Sequence, residues 1–249
     1  MISFIFGFKT KRYLAPFALV VLMIQGCATG PNANPADPME PLNRAVFSLN
    51  DGLDRALIKP VAVVYDRAVP QLVQTGAGNF FGNISDAWSV VNNALQFKPK
   101  EAIETLMRVS VNTVFGFGGL LDIGSELRMA KNKQNFGQTL GVWGVSPGPY
   151  VVLPVFGPSS VRDTVGTIVD SQADLVNNLR NVPSRNSLAA TRIVDKRAEL
   201  LDTTNALDEA ALDRYTFVRD VYLRRSAITR GNETVVPEER FDLPAPAAK

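Results

Sequence analysis

The chain has 249 residues, of which 46% are hydrophobic and 20% charged, an ordinary composition for a globular protein with a substantial core. Its 26 basic and 24 acidic residues nearly balance, so charge gives no reason to expect nucleic acid as a partner. Histidine is absent and the only cysteine is Cys27, which excludes a histidine general base, an intramolecular disulfide and a cysteine-rich zinc site. We expect neither a metal site nor a cofactor.

Residues 1–26 have the layout of a secretory signal peptide. Basic residues within 9–12 precede an apolar run over 13–24, which is too short to span a bilayer comfortably. The run ends in Ile24-Gln25-Gly26-Cys27, which resembles the lipobox of bacterial lipoproteins, although glutamine is atypical at its position. An ordinary signal peptide or an uncleaved anchor is the alternative.

The lipobox resemblance implies that Cys27 receives a diacylglycerol, becomes the mature N-terminus and is then N-acylated. Each buried methylene contributes about 0.8 kcal/mol, so three acyl chains would hold the protein to a membrane essentially permanently. Ala28, in place of aspartate after the cysteine, favours the outer membrane. We interpret residues 27–36 as an acylated, flexible tether.

Apolar residues recur at helical spacing through most of the mature chain. Asp37-Pro38 has the pattern of an N-cap followed by proline, and Lys59-Pro60 predicts the end of that first helix because proline disfavours helix in the residue before it. The further predicted helices are 61–72, with Pro70 as a kink or an end, then 80–98, 102–114, 159–170, 188–201 and 207–228.

The middle and the end of the chain have a different character. Glycines predict a turn at 116–119, and prolines surround the apolar segment Tyr150 to Phe156. Since prolines do not suit a central strand, we expect an extended or broken segment packed on something apolar. No strand alternates convincingly, and the tail 231–249 has a composition typical of disorder. The prediction is an all-α domain over 37–230.

Three stretches of the chain carry specific motifs. The first is Asp37-Pro-Met-Glu-Pro-Leu-Asn-Arg-Ala-Val-Phe47, continuing to Lys59-Pro-Val-Ala62, and the second runs from Asn79-Phe-Phe-Gly-Asn83 to Leu95-Gln96. The third comprises Phe136-Gly-Gln-Thr-Leu-Gly141, Trp143-Gly-Val145, Gly148-Pro-Tyr150, Leu153-Pro154, Gly157-Pro-Ser159 and Arg162-Asp163. Together they span roughly residues 37–170, and their order and spacing resemble the MlaA (VacJ) family of bacterial lipoproteins.

The resemblance implies a fold and a role. Family members form a ring-shaped bundle of amphipathic helices with a central amphipathic channel, embedded in the periplasmic leaflet of the outer membrane beside a trimeric porin. Phospholipid that has reached the outer leaflet enters the channel, and a periplasmic lipid carrier of the MlaC type collects it, which maintains lipid asymmetry. The chain has no P-loop motif, so energy from ATP must enter elsewhere.

Channel or gate residues are expected in the glycine-rich third stretch and in the first helix. The candidates are Leu49, Asn50, Gly137, Gly141, Trp143, Gly144, Gly148, Tyr150 and Arg162. Several of them have a plainer alternative: tight turns for the glycines, core packing for Leu49, and an ion pair with Asp163 for Arg162. The Arg162 guanidinium also suits a lipid phosphate.

Two further groups of residues have open interpretations. Trp88, Trp143 and Tyr150 suit a membrane interface, with core packing as the alternative. The last helix carries arginines that either dock the carrier or form a solvated face: Arg214, Arg219, Arg224, Arg225 and Arg230.

The competing classes are a hydrolase and a purely structural lipoprotein. Without histidine a Ser-His-Asp triad is impossible, and no Gly-x-Ser-x-Gly sequence is present. A glycosidase-like pair of carboxylates remains open on composition, but no pair stands out. We therefore predict no catalytic residue. Copurified phospholipid would distinguish a conduit from a structural brace.

Overall fold

The computed structural model describes Asn34 and residues 37–229, and this part of the chain is mostly helical. The helices are α1 (Glu40–Leu53), α2 (Lys59–Ala68), α3 (Gln71–Leu95), α4 (Pro99–Val114), α5 (Ile123–Glu126), α6 (Phe136–Val142), α7 (Val161–Ala173), α8 (Val182–Glu199), α9 (Leu201–Ala210) and α10 (Arg214–Thr229). The strands are β1 (Tyr150–Leu153) and β2 (Gly157–Ser160). The predicted all-α class is confirmed, with one hairpin added. None of these helices is both long and apolar enough to cross a membrane.

The first predicted helix end, at Lys59-Pro60, is wrong. A π-helical turn, Asp54–Ile58, joins α1 to α2 without a break, and the Lys59 N–H donates to the Asp54 carbonyl. Because the π turn shifts hydrogen bonding to the fifth preceding residue, Pro60 falls in a new first turn, where a proline's missing N–H is tolerated. Pro70 does mark an end, since α2 stops at Ala68 and Val69 is extended.

The C-terminal helices also differ from the prediction over 207–228. The structure has two helices there, separated at residues 211–213, and the Asp213 carboxylate accepts the Thr216 N–H at 3.3 Å in the first turn of α10. The pattern predicts Ser159 or Ser160 as the cap of α7, and the structure assigns it to Ser160, whose hydroxyl accepts the Asp163 N–H at 3.2 Å. Side-chain caps of this kind satisfy amides that have no partner within the helix.

The interior between α3 and α4 is polar. Arg108 of α4 is 1% exposed, and its guanidinium donates to Asp122 at 2.6 Å, to the Ser125 hydroxyl at 2.8 Å and to the Met129 carbonyl at 3.0 Å. Asp86 of α3 lies 3.8 Å from the Arg108 Nε, and burial raises the pKa of this carboxyl. The two carboxylates therefore share one buried arginine as an ion-pair partner.

The outside of the same helices is apolar. On α4 the polar residues Thr105 and Arg108 are buried, whereas Ile103, Leu106 and Met107 are exposed. The α1 leucines follow the same rule, and among the described residues buried polar side chains outnumber buried apolar ones. An apolar face turned outward is expected where hydrocarbon, and not water, surrounds a helix.

The segment predicted to be extended forms a hairpin, so the expectation that no strand would form is wrong. Strands β1 and β2 pair antiparallel, with Tyr150 opposite Ser160 and Leu153 opposite Gly157. A two-stranded ribbon leaves an edge for Pro158, which sits opposite Val152. Burial alternates along β1, because Tyr150 and Val152 point inward, although the hydrophobicity of its residues does not alternate.

Two asparagines of α1 satisfy the free edge of β1. The Asn43 side chain donates to the Tyr150 carbonyl at 3.1 Å and accepts the Val152 N–H at 2.8 Å. Asn50, two turns later, donates to the Leu153 carbonyl at 2.9 Å and accepts the Val155 N–H at 2.8 Å. The amides act as a third strand would, so α1 and the hairpin form one unit.

The start of the domain is fixed to its end. Asp37 is buried, accepts a hydrogen bond from Asn43 at 2.8 Å and another from the Tyr215 hydroxyl, and lies 3.8 Å from Arg219 of α10. Arg214 forms ion pairs with Asp51 and Asp208. The predicted signal peptide and tail lie outside the described residues, as does the tether except for Asn34.

Replacing Arg108 with methionine should destabilise the fold strongly, because Asp86 and Asp122 lose their shared cation. Removing one partner of a buried ion pair costs about 3–5 kcal/mol. The thermal unfolding midpoint in detergent should fall by roughly 6 °C or more. Lys100→Met on the same helix is the control, since Lys100 is 82% exposed and its ion pair with Glu104 is 3.9 Å long. Equal midpoints for the two variants would contradict this account.

Candidate functional site

A cavity of about 650 Å³ opens between α3, residues 133–138, the C-terminal end of α7, and α8. One wall is apolar, because Ile84, Ala87, Trp88 and Val91 recur at the spacing of a single helix face on α3. The remaining lining is polar or charged except for two small or aliphatic residues: Ser85, Lys133, Gln134, Asn135, Gln138, Asp170, Ala173, Asp174, Leu175, Arg192, Lys196 and Arg225. The cavity is therefore amphipathic, the property expected of a site for a molecule with both kinds of surface.

Side chains of α3 hold the extended segment that forms one side of the cavity. The Ser89 hydroxyl donates to the Gln134 carbonyl and accepts the Gln134 N–H, both at 3.1 Å. Asn93 donates to the Asn132 carbonyl at 2.9 Å. Because its backbone is bonded on both sides of residue 133, the segment is held in place without secondary structure of its own.

Glycines bring α6 and α7 into close contact beside the cavity. Asn135 and Gln138 form a capping box at the start of α6. A Cβ on Gly166 would lie 2.6 Å from the Gly137 Cα, and one on Gly137 would lie 2.9 Å from the Asp163 Oδ1. The crossing of the two helices therefore has no room for a side chain at either glycine.

Carboxylates of the cavity are committed to holding its walls. Asp170 accepts the Trp88 Nε1–H at 2.7 Å and the Phe136 N–H at 2.9 Å, which ties α7 to α3 and α6. Asp174 accepts hydrogen bonds from both terminal nitrogens of Arg192, at 2.5 and 2.9 Å. Burial is the largest single influence and opposes ionisation of Asp174, but the hydrogen bonds and charge of Arg192, together with the Val176 and Asn177 amides, outweigh it and lower the pKa of the carboxyl.

The comparison with protein families covers nearly all of the described chain. A family model described as MlaA lipoprotein matches residues 35–228. The chain belongs to the MlaA lipoprotein family. The resemblance of the three motif stretches to this family is therefore confirmed.

Relatives of this MlaA family member support the assignment. It is 32% identical over 238 residues to the intermembrane phospholipid transport system lipoprotein MlaA of Escherichia coli (strain K12), covering 92% of this chain and 93% of the relative. It is 30% identical over 246 residues to the MlaA protein of Haemophilus influenzae, covering 95% and 96%. A solved structure described as the structural basis for maintenance of bacterial outer membrane lipid asymmetry superimposes with a TM-score of 0.67 at 32% identity, over 78% of this chain and 98% of that chain.

The residues predicted to line a channel do not line this cavity. Gly137 and Gly141 lie in α6 and Gly144 and Gly148 follow it, and none of the four belongs to the lining. Gly144 and Gly148 have positive φ, at 89° and 68°, so tight turns account for these two. Gly141 accommodates the Arg162 guanidinium, whose Nη1 would lie 2.7 Å from an added Cβ.

Leu49 and Asn50 act differently from one another. Leu49 is 55% exposed, so its core-packing alternative is wrong and its side chain belongs to the outer apolar surface. Asn50 faces inward and clamps the end of β1 through Leu153 and Val155, as described above.

The three aromatic residues assigned to a membrane interface separate into three environments. Tyr150 is buried beside Tyr215 and Tyr222, so an interface position is wrong for it, and burial raises its pKa to about 12. Trp88 lines the cavity. Trp143 is 50% exposed, with its Nε1–H donated to the Leu95 carbonyl at 3.0 Å, the half-buried arrangement that an interface favours.

Arg162 forms the predicted ion pair with its neighbour. Its Nε and Nη2 both lie 2.8 Å from the Asp163 Oδ1, and the other carboxylate oxygen accepts the Tyr222 hydroxyl at 2.5 Å. Arg162 is 5% exposed, while its Nη1 is buried without a hydrogen bond. The pair therefore joins α7 to α10.

Sequence reasoning missed the charged residues of the cavity. Lys133, Asp174, Arg192 and Lys196 come from three separate segments and belong to none of the family motifs quoted above. Their only local signal is the alternation of Lys131 and Lys133 before the capping box.

Substitution of Gly166 by alanine should force α6 and α7 apart, because the new Cβ would overlap the backbone of Gly137. Overpacking of this kind costs about 1–3 kcal/mol, which exceeds the helix-propensity gain of alanine. Thermal unfolding in detergent measures the loss. Gly52→Ala is the matched control, since nothing lies within 4 Å of a Cβ there and the helix should keep or gain stability. A Gly166→Ala midpoint at or above the wild-type value would refute the close crossing.

Proposed function

We propose that this protein is the outer-membrane component of a retrograde phospholipid transport system. It removes phospholipid from the outer leaflet and passes it to a periplasmic carrier, which maintains lipid asymmetry. Membership of the MlaA family and similarity to lipoproteins of the intermembrane phospholipid transport system support the proposal. Transport of this kind breaks no covalent bond, so the protein is not an enzyme.

The observation that carries the proposal is the pairing of an apolar exterior with an amphipathic cavity. Exposed leucine, valine and phenylalanine side chains on several helices suit insertion into one leaflet, and no described helix spans a bilayer. The cavity offers an apolar wall on α3 opposite charged groups. A phospholipid head group then exchanges its hydration for polar protein groups, which avoids the cost of many kcal/mol for a buried, unpaired charge.

The fold around this cavity is a ring of amphipathic helices with the cavity as part of its central channel. Residues of the glycine-rich stretch support the channel wall from outside, through the α6–α7 crossing and the buried Arg162. Asn50 serves as the gate element, because its two hydrogen bonds are what hold α1 to the hairpin tip at that point. Leu49 and Trp143 contribute to the channel or its gate from the lipid-exposed side, and Tyr150 contributes from the core.

The remaining assignments concern the anchor and the partners. Residues 1–26 are the signal peptide, Cys27 carries the acyl chains, 28–36 are the tether, and 231–249 are a tail outside the domain. A trimeric porin borders the ring in the membrane. The periplasmic carrier docks near α10, where Arg224 is exposed while Arg214 and Arg219 are engaged in ion pairs with α1 and the domain start.

Cells that lack the protein should accumulate phospholipid on their surface, and only the wild-type gene should reverse it. Cys27→Ala should fail, because acylation at this position retains the protein in the membrane. Surface phospholipid is measured by head-group labelling or by an outer-membrane acyltransferase that moves an acyl chain from phospholipid to lipid A. Ala28→Ser leaves the cysteine in place and should restore the wild-type level. A deletion without surface phospholipid would favour a structural lipoprotein instead.

A further inference from the structure

We propose that the cavity beside α3 binds the phosphodiester of a diacyl phospholipid, with the Lys133 ammonium as the phosphate-binding group. The inference rests on the proposed transport function and specifies which chemical feature of the lipid the site recognises. A phosphodiester is common to the phospholipids that carry a head-group alcohol and is absent from diacylglycerol, so the site would separate these two classes of lipid.

Most of the cations at the cavity already have partners. Arg192 is held by both oxygens of Asp174, at 2.5 and 2.9 Å, and Lys196 lies 2.7 Å from Glu199. Arg225 also has an interaction of its own. Lys133, in contrast, forms neither a hydrogen bond nor an ion pair with any described residue.

The surroundings of Lys133 favour an incoming anion. Its side chain is exposed to the cavity yet surrounded by protein, and this desolvation lowers the pKa of the ammonium. Asp86 and Glu199 attract the Lys133 ammonium, but neither is in an ion pair with it: Asp86 pairs with Arg108 at 3.8 Å and Glu199 with Lys196 at 2.7 Å. Lys131 and Lys196 add repulsion that a phosphate would relieve.

The carboxylates on the cavity wall do not occupy the place of that anion. Asp170 is bonded to Trp88 and Phe136, and Asp174 is bonded to Arg192 and to the Val176 N–H at 2.8 Å. Both carboxylates are therefore engaged in hydrogen bonds that hold the cavity walls. An ammonium without a partner in a partly desolvated cavity is stabilised by an anionic ligand, and lysine binds phosphate as a point charge.

The rest of the cavity fits the remainder of the lipid. Ile84, Ala87, Trp88 and Val91 form a continuous stripe on α3 that faces the cavity together with Leu175, from the loop after α7. A volume of about 650 Å³ holds a head group, the glycerol and the first part of the acyl chains. The Trp88 Nε1–H is already donated to Asp170, so its ring presents only an apolar surface.

The test compares two soluble short-chain lipids that differ in the phosphodiester. Full-length acylated protein, delipidated in dodecyl maltoside, is titrated with dihexanoylphosphatidylglycerol and with dihexanoylglycerol, below the concentrations at which either aggregates. Lys133→Met should bind the phospholipid about 10- to 100-fold more weakly and leave binding of dihexanoylglycerol unchanged, as expected for a charge-assisted contact. Lys133→Arg should stay within about threefold of the wild type, since the charge is kept.

Matched controls separate the possible outcomes. Lys131→Met removes a neighbouring exposed ammonium that does not line the cavity, and it should bind both lipids as the wild type does. Wild-type affinity for the phospholipid in Lys133→Met would overturn the inference and leave the transport proposal standing. Failure of the wild type to bind either lipid would count against the transport proposal as well. Displacement of the phospholipid by an equal concentration of inorganic phosphate would assign the site to free phosphate and overturn the lipid assignment.

Discussion

Hydrogen bonds between buried polar side chains hold the described part of the chain together, and the apolar exterior depends on them. Arg108 donates hydrogen bonds to Asp122, Ser125 and the Met129 carbonyl. Between α6 and α3, the Thr139 hydroxyl donates to the Asn92 side chain at 2.8 Å. Helices surrounded by hydrocarbon gain little from hydrophobic association with one another. Polar contacts and close glycine crossings supply the specificity that an apolar core provides in water-soluble proteins.

This arrangement places the chemistry for an amphipathic ligand inside the molecule. Because the walls of the cavity are fixed by Asp170 and Asp174, the polar groups are held in position before a ligand arrives. The α3 stripe faces the same space from the other side. A conduit for phospholipid needs both surfaces at once.

The sequence predicted the helices well because apolar periodicity reports a helix whichever side it packs on. It did not predict which side of a helix faces the interior. Core packing was the plainer alternative for Leu49, yet Leu49 is exposed, and Asn43 and Asn50 make the inward contacts of α1. Hydropathy alone cannot separate a face that packs on protein from a face that packs on lipid.

The candidate site was predicted less well than the fold. The family motifs contain Gly137 and the Arg162–Asp163 pair, which lie beside the cavity, but they predicted neither the α6–α7 crossing nor its second glycine, Gly166. The lining itself comes from α3, the segment before α6, and α7 to α8, so tertiary packing alone brings Lys133 near Arg192. The strand edge of the hairpin was missed for a similar reason, since its partner is a pair of side chains on a helix.

The quenching of Trp143 fluorescence tests the central claim, that the apolar exterior lies in lipid. The chain has two tryptophans, so Trp88→Phe leaves Trp143 as the only emitter, and the full-length acylated protein is placed in bilayers. Phospholipids brominated on their acyl chains should quench Trp143 strongly, and aqueous iodide should quench it weakly. Strong quenching by iodide together with emission unaffected by brominated chains would contradict the account.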